Sequence, residues 1–294
     1  GPARQFGKFI AANRAQHRGA QCFLAGITCN DGNGAGFVIA ARQHGAKATG
    51  AVDPADQRID PHPVFHAFMQ ARVSQAFSRD EVRATVMPAY MGLIKQIDDQ
   101  MGILWQFLQD RGLMENTMIV FTSDHGDYLG DHWLGEKELF HDCIQRVPFI
   151  LYDPSPAADA TRGRVDTRFV EAIDALPTML EALSLDPAEH LLEGRSLLAL
   201  TRNQETPWRD AVFSELDWTF RGARRRLGLP TGQHHAWMVR TARWKYIHWT
   251  EGLRPMLFDL AEDPDEFHDL GADPALEGVR EELRERLLAW FTAL

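Results

Sequence analysis

Asp124 and His125 stand together where a short apolar run, Met118-Ile119-Val120-Phe121, gives way to a polar stretch. A carboxylate and an imidazole can share one divalent cation, and the pair suits Mn, Zn or Fe better than Ca, which prefers oxygen alone. Two donors do not make a tight site, so further carboxylates would have to join them. The plainer reading is a capping Asp beside a hydrogen-bonded His. Lys137, later in the same stretch, could steady an anion with its ammonium, although on residue type alone a solvated loop lysine is the better account. His141-Asp142 suggests the paired ligands of an HD-type phosphohydrolase, but that site needs further histidines on helices at spacings absent here, and structural roles suit His132 and His141-Asp142 better.

The elements around these residues are legible. Met118 to Phe121 and Val147 to Tyr152 are apolar runs that fit strands covered on both faces, as in a parallel sheet. Ligands in open α/β sheets sit in loops beyond the carboxyl ends of strands, which singles out Ser123 to Arg146. Ser78 with Glu81 makes a capping-box pattern that starts a helix, Pro88 can kink it, and Ile94, Ile97, Met101, Leu104, Trp105 and Leu108 line one apolar face before Gly112 ends it. Arg168 to Leu183 reads as another helix, interrupted by Pro177.

Earlier, Phe6 to Arg14 suits a short helix, Cys22 to Thr28 a buried strand, and Asn30 to Pro63 a loop. Ala211 to Glu215, Ala236 to Thr241, Trp244 to Trp249 and Leu257 to Leu260 read as strands of a small antiparallel sheet, and Pro274 to Leu294 as a terminal helix with Leu283, Leu287, Leu288 and Phe291 on one face. Two domains are expected, an α/β core over 1–205 and a smaller α+β part over 206–294.

Composition narrows the partners. The 294 residues are 45% hydrophobic and carry a net charge of −10, which argues against a nucleic-acid backbone as partner. No apolar run approaches the ~20 residues that cross a bilayer, so no membrane partner is expected. Cys22, Cys29 and Cys143 are too few and scattered for a disulfide framework, which points to the cytoplasm. Asn30 to Gly36 fits neither the P-loop nor the dinucleotide pattern, so no nucleotide cofactor is expected. Arg221, Arg224, Arg225 and Arg226 form a basic run that could face an anionic substrate or a second subunit, though such runs are usually solvated loops. Trp237, Trp244, Tyr246, His248 and Trp249 read as the packed face of the small sheet.

Phe121-Thr122-Ser123-Asp124-His125-Gly126-Asp127-Tyr128-Leu129-Gly130-Asp131-His132, then Lys137, then Arg146-Val147-Pro148, resembles the signature of sulfatases and phosphonate monoester hydrolases of the alkaline phosphatase superfamily. Ile97-Asp98-Asp99-Gln100-Met101-Gly102 upstream, and Asp174-Ala175-Leu176-Pro177-Thr178, Glu193-Gly194-Arg195-Ser196-Leu197, Arg240 to Ile247 and Leu257 to Glu266 downstream, resemble further landmarks of that family in order. The likeness runs from about Val64 to the end. It implies an alkaline-phosphatase-like α/β fold with a mostly parallel central sheet flanked by helices, incomplete at its amino end, followed by the small antiparallel sheet and helix. It also implies hydrolysis of sulfate esters, phosphonate monoesters or phosphodiesters, with Asp124 and His125 on a divalent Mn, Zn, Fe or Ca ion and Lys137 on the transferred group. The spacing from Asp131 to Lys137 is nearer to that of phosphonate monoester hydrolases.

Two features of the family are missing. Relatives make a formylglycine nucleophile within Cys-x-Pro-x-Arg, and none of the three cysteines stands in that motif; a His-x-Pro expected after Thr28 is replaced by Asn30-Asp31-Gly32. The chain alone is therefore expected to be inactive, either as part of an enzyme on a small anionic ester or as a remnant with a structural or interaction role. Self-association is compatible with both. Phosphodiesterases and phosphomutases of the same superfamily need a second set of histidines that is not found here.

Overall fold

The computed structural model describes residues 61–186 and 191–293, together with the backbone of residues 22–23, 37–39 and 43–44. The expected helix from Phe6 to Arg14, most of the strand from Cys22 to Thr28 and nearly all of the loop to Pro63 lie outside these residues. In chain order the described elements are β1 (Cys22–Phe23), β2 (Phe37–Ile39), β3 (Gln43–His44), α1 (Pro63–Met69), α2 (Arg72–Phe77), α3 (Asp80–Asp110), β4 (Ile119–Thr122), α4 (Asp142–Gln145), β5 (Phe149–Tyr152), β6 (Val165–Asp166), α5 (Ala175–Ala182) and α6 (Leu198–Thr201). There follow β7 (Ala211–Asp217), α7 (Gly222–Arg226), β8 (His235–Thr241), β9 (Trp244–Trp249), β10 (Met256–Asp259) and α8 (Glu277–Ala293).

These elements form two compact units that do not follow chain order. One holds β1 to β3 and residues 88–124 and 146–209; the other holds residues 61–87, 125–145 and 210–293.

In the first unit the strands are ordered β4-β5-β2-β6, with Val120 opposite Leu151 and Val38 opposite Ile150. The mixed α/β architecture is the expected one, but strand direction is a correction. Among the described pairings of this sheet only β2 with β6 runs parallel. An apolar run signals burial and not direction, and the segment between β4 and β5 holds short helical turns rather than a crossover helix, so the chain returns antiparallel. β5 is buried throughout, whereas β4 is only half-buried. Phe149 and Leu151 pack with Leu197 and Leu200.

Fully buried Asp174 organises the other side of this unit. Its carboxylate accepts the Glu171 and Arg195 N–H groups and both terminal nitrogens of Arg209, the last at 2.5 and 2.7 Å. The 3-10 turn Ala172–Asp174 carries a capping box with Glu171, and Pro177 sits in the first turn of α5, where its missing N–H breaks no bond. The helix therefore starts later than the expected Arg168.

Helix α3 starts at Asp80, two residues past the expected N-cap Ser78, and runs through Pro88 to Asp110. The Ser78 hydroxyl donates to the Gln75 carbonyl as the C-cap of α2, so the anticipated capping box is replaced by a helix-to-helix joint. Trp105 is buried edge-on against Tyr152 at 5.4 Å.

The second unit is built on the sheet β10-β9-β8-β7, antiparallel throughout as expected. One face packs Met238, Ile247, Trp249 and Phe258 against Val64, Phe65 and Phe68 of α1. The other packs Val239, Tyr246 and Leu257 against Leu283 and Leu287 of α8, with Trp290 stacked on Phe213 at 5.0 Å. No described helix is long and apolar enough to cross a membrane.

Candidate active site

The polar segment after β4 is held in the second unit by a short backbone ladder. Tyr128 N–H donates to the Glu136 carbonyl at 2.9 Å and Gly130 N–H to the Leu134 carbonyl at 3.0 Å, with the 3-10 turn Asp131–Trp133 at the tip. Gly126 N–H donates to the Ile144 carbonyl at 2.8 Å, an approach so close that a Cβ on Gly126 would overlap the Cys143 carbonyl oxygen. Pairing 128 with 136 sets Asp127 beside Lys137.

The loop is strained and then pinned. Leu129, His132, Trp133, Glu136 and Leu139 have positive φ of 48°, 51°, 54°, 69° and 83°. Each such residue costs about 1–2 kcal/mol. Burial of Tyr128, Leu134, Leu139, Phe140 and Ile144 offsets this at about 1.5–3 kcal/mol per side chain.

Asp124 is exposed and directly follows Ser123, whose hydroxyl donates to it at 3.4 Å. His125 Nδ1 lies 2.8 Å from the Gly126 carbonyl. A carbonyl only accepts, so Nδ1 carries the proton and the ring's lone pair is on Nε2, the tautomer found in many metal-bound histidines. Lys137 is exposed. The Asp127 carboxyl is pushed up by burial and by Glu136, while the Leu129 N–H, His125 and Lys137 draw it down. One carboxylate thus feels both the imidazole and the ammonium.

His132 and His141 are structural. Their rings stack at 3.7 Å and 9°, and the Tyr128 hydroxyl lies 2.8 Å from His141 Nδ1. Burial, reinforced by Lys245, lowers His132 to about 3, and burial lowers His141 well below its usual range, so both rings are neutral at pH 7. Asp142 is tied to the sheet instead of to a metal. It receives Arg240 at 3.1 and 3.0 Å and Lys245 at 2.6 Å. Burial would raise its carboxyl, but Lys245 and Arg240 hold it well below the usual range.

Lys245, itself fully buried, also donates to the Phe140 carbonyl at 2.8 Å and pairs with Glu266 at 2.5 Å. Glu266 in turn accepts the Asp142 N–H, and burial raises its carboxyl to about 7 against the pull of Lys245. Sequence reasoning assigned no role to Lys245 or Glu266. The signal was available for one of them, since the two-residue period of β9 puts Lys245 on the same face as Ile247 and Trp249.

The basic run is partly structural as well. Arg221 pairs with Glu138 at 3.2 Å, and Arg224 donates to the Thr219 and Leu229 carbonyls. Of the aromatic group, Trp249 packs on one face of the sheet and Trp237, Trp244 and Tyr246 on the other.

Comparison with known proteins draws these observations together. Residues 57–185 match the family described as Sulfatase, and residues 130–292 match N-sulphoglucosamine sulphohydrolase, C-terminal. The chain belongs to the sulfatase family. It is 33% identical over 214 residues to the multifunctional alkaline phosphatase superfamily protein of Trinickia caryophylli, an alignment covering 71% of this chain and 40% of that relative. With an arylsulfatase of Clostridium perfringens the identity is 30% over 62% of this chain and 35% of that relative. The phosphonate monoester hydrolase of Agrobacterium radiobacter has a similar structure, with a TM-score of 0.73, 32% identity, and coverage of 85% of this chain and 51% of that one. The phosphonate monoester hydrolase from Silicibacter pomeroyi gives a TM-score of 0.72 at 26% identity, over 84% and 53%. The architecture is therefore that of alkaline-phosphatase-like sulfatases, and this sulfatase-family chain spans about half the length of such structures or less.

Sulfatase relatives as a class depend on divalent metal, and the donors fit in kind. Asp124 offers a carboxylate and His125 an Nε2 lone pair. They do not fit in number, because among the described residues no group of three or more His, Cys, Asp and Glu side chains converges to hold an ion. A tight site takes four or more ligands.

Proposed function

We propose that this chain contributes part of the centre of a hydrolase acting on sulfate esters or on phosphonate monoesters and phosphodiesters. The observation that carries the reading is the 128–136 pairing, which sets one carboxylate, Asp127, under the combined influence of His125 and Lys137. Such a loop would present the imidazole and the ammonium to an anionic ester. Asp124 and His125 would supply two ligands of a divalent Mn, Zn, Fe or Ca ion, with the remaining ligands from outside the described residues. When bound, that ion would act as a Lewis acid on an ester oxygen. Lys137 would present its ammonium to the same anionic group, stabilising charge as it develops. The buried Tyr128 and Phe140 keep the loop from relaxing.

A second reading has its own support. The sequence holds no Cys-x-Pro-x-Arg, so the chain by itself lacks the family's nucleophile and, on this reading, does not turn over ester. Cytoplasmic location belongs with these proposals; Cys143 carries a free thiol, which suits a reducing compartment.

Metal uptake separates the two. Purified chain dialysed against Mn, Zn, Fe or Ca and measured by inductively coupled plasma mass spectrometry is expected to retain metal weakly, with Asp124→Ala and His125→Ala each abolishing retention while the folded signal persists. Uptake unchanged by both substitutions, or no uptake at millimolar metal, refutes the partial-centre reading and leaves the remnant.

A further inference from the structure

The turn 263–268 lies against the site loop 125–145 inside the second unit. Its ends are tied to β10, Asp263 N–H donating to the Asp259 carbonyl and Leu270 N–H to the Leu257 carbonyl, both at 2.7 Å. It also closes on itself, with Glu266 N–H donating to the Asp263 carbonyl at 3.1 Å and His268 N–H to the Asp263 carboxylate at 2.6 Å. Its three middle residues then engage the loop one after another. Asp265 is near enough to Asp131 and His132 to act on the protonation of both. Glu266 accepts the Asp142 N–H at 2.5 Å and pairs with Lys245, and the Phe267 ring lies 5.0 Å from that of His132.

His132 and Glu266, on the two sides of this contact, have φ of 51° and 59°, conformations that persist in non-glycine residues only where the surroundings hold them. The contact also gathers four carboxyl groups, those of Asp131, Asp142, Asp265 and Glu266. Arg240 and Lys245 offset Asp142, and Lys245 also offsets Glu266. Asp131 faces Asp265 and Arg83, and Arg83 pairs with Asp80 as well. The Cys143 thiol, kept protonated by burial, faces Asp131 and Glu266, and the buried Tyr128 hydroxyl faces Glu266. Fully ionised, four carboxylates would thus share three cations, one of them divided with Asp80. Burial and Asp265 raise Asp131 to about 7, and burial raises Glu266 to the same value, so in acid both keep their protons while the contact is closed.

We propose that this turn is a latch on the site loop, held shut in acid and released as the pH rises to neutral. Its regulatory role rests on the reading of that loop as part of a hydrolytic centre. Release returns Asp131 and Glu266 to water, where each ionises in the ordinary carboxylate range. Opening therefore gives up protons between about pH 5 and 7, and each such carboxyl makes it about tenfold easier per pH unit. From its ordinary value of 3.8 to about 7 in the fold, Asp131 alone accounts for about fiftyfold between pH 5 and 7. Above 7 the carboxyls are ionised in both states, and the dependence levels off.

Hydrogen exchange of the intact metal-free chain, followed by mass spectrometry from pH 5 to 8 and corrected for the intrinsic rate, tests the latch. Amides of 131–142 and 263–268 are expected to lose protection at least about fiftyfold from pH 5 to 7 and little more to pH 8, exchanging ahead of β8 and β9 at each pH. Asp131→Asn is expected to shrink that rise at least about tenfold, and Asp265→Asn to shrink it by lowering Asp131. Phe267→Ala is expected to speed exchange of the same amides already at pH 5, and keeps the latch testable should the Asp131 variant not fold. His268→Gln, on the exposed side of the turn, is expected to leave the profile unchanged. A flat profile overturns the proposal, as does a rise that survives Asp131→Asn and Glu266→Gln together, or loop amides that exchange no faster than the sheet. Mn retention at pH 8 then separates the latch from the centre it serves, Asp265→Asn being expected to raise it. A pH-dependent latch in a chain that retains no Mn refutes the hydrolytic reading and its regulation and leaves the latch, whereas retention with a flat exchange profile refutes the latch alone.

Discussion

Replacing Lys245 by methionine removes the cation from a site where two carboxylates depend on it. The ammonium is fully buried and lies 2.6 Å from Asp142 and 2.5 Å from Glu266, so screening by water is slight. Removing one partner of a buried ionic set costs about 3–5 kcal/mol. Asp142 keeps its two bonds from Arg240, which puts the expected loss at the lower end, about 3 kcal/mol at pH 8.

The loss also depends on pH. Glu266 titrates at about 7 in the fold against 4.5 when unfolded, so between those values the folded state binds the extra proton and stability falls as pH rises. Without Lys245 its folded value moves higher still, extending that falling limb. The variant's deficit is therefore smaller at pH 6, where Glu266 holds its proton, than at pH 8. Urea unfolding followed by tryptophan fluorescence reports on this unit, because Trp218 and Trp249 are buried in its core. Adding Glu266→Gln is expected to restore part of the loss at pH 8. A deficit under about 1 kcal/mol at pH 8, or one equal at both pH values, refutes the claim that Lys245 neutralises two buried carboxylates.

Gly126→Ala, by driving a Cβ into the Cys143 carbonyl, is expected to destabilise by about 2 kcal/mol and to reduce metal retention together with it, measurable by urea unfolding and metal analysis. Arg209→Ala leaves Asp174 buried without its guanidinium and is expected to cost the first unit about 3 kcal/mol, read by hydrogen exchange of α5 amides. Burial and nearby Asp265 raise Asp131 to about 7 against the pull of Arg83. Its unfolded value is lower, so it makes stability fall as pH rises through that window; Asp131→Asn is expected to flatten this slope in thermal melts between pH 5 and 8, and an unchanged slope counts against it.

The loop after β4, on which Asp124, His125 and Lys137 stand, was legible because a short apolar run followed by a dense polar stretch is a local signal, and the four late strands because β-branched and aromatic residues cluster in them. The direction of β5 was not legible, since two-sided burial reads the same in parallel and antiparallel strands. Nor was the joint at Ser78, where the same hydroxyl serves either a capping box or the end of α2, and the packing of Ser74 under the Gly135 N–H settles the chain path.

Local pattern therefore marked α3, α8, β4, β5, the four late strands and the loop that carries the carboxylate, imidazole and ammonium, but not the short helices α1, α2, α4, α6 and α7. The sequence favoured structural roles for His141 and Asp142, but only the tertiary structure decided what holds Asp142, namely Lys245, Arg240 and Glu266, about a hundred or more residues away in the chain. A side chain's charge state and role follow from what surrounds it in space, and sequence spacing encodes only the neighbours along one element.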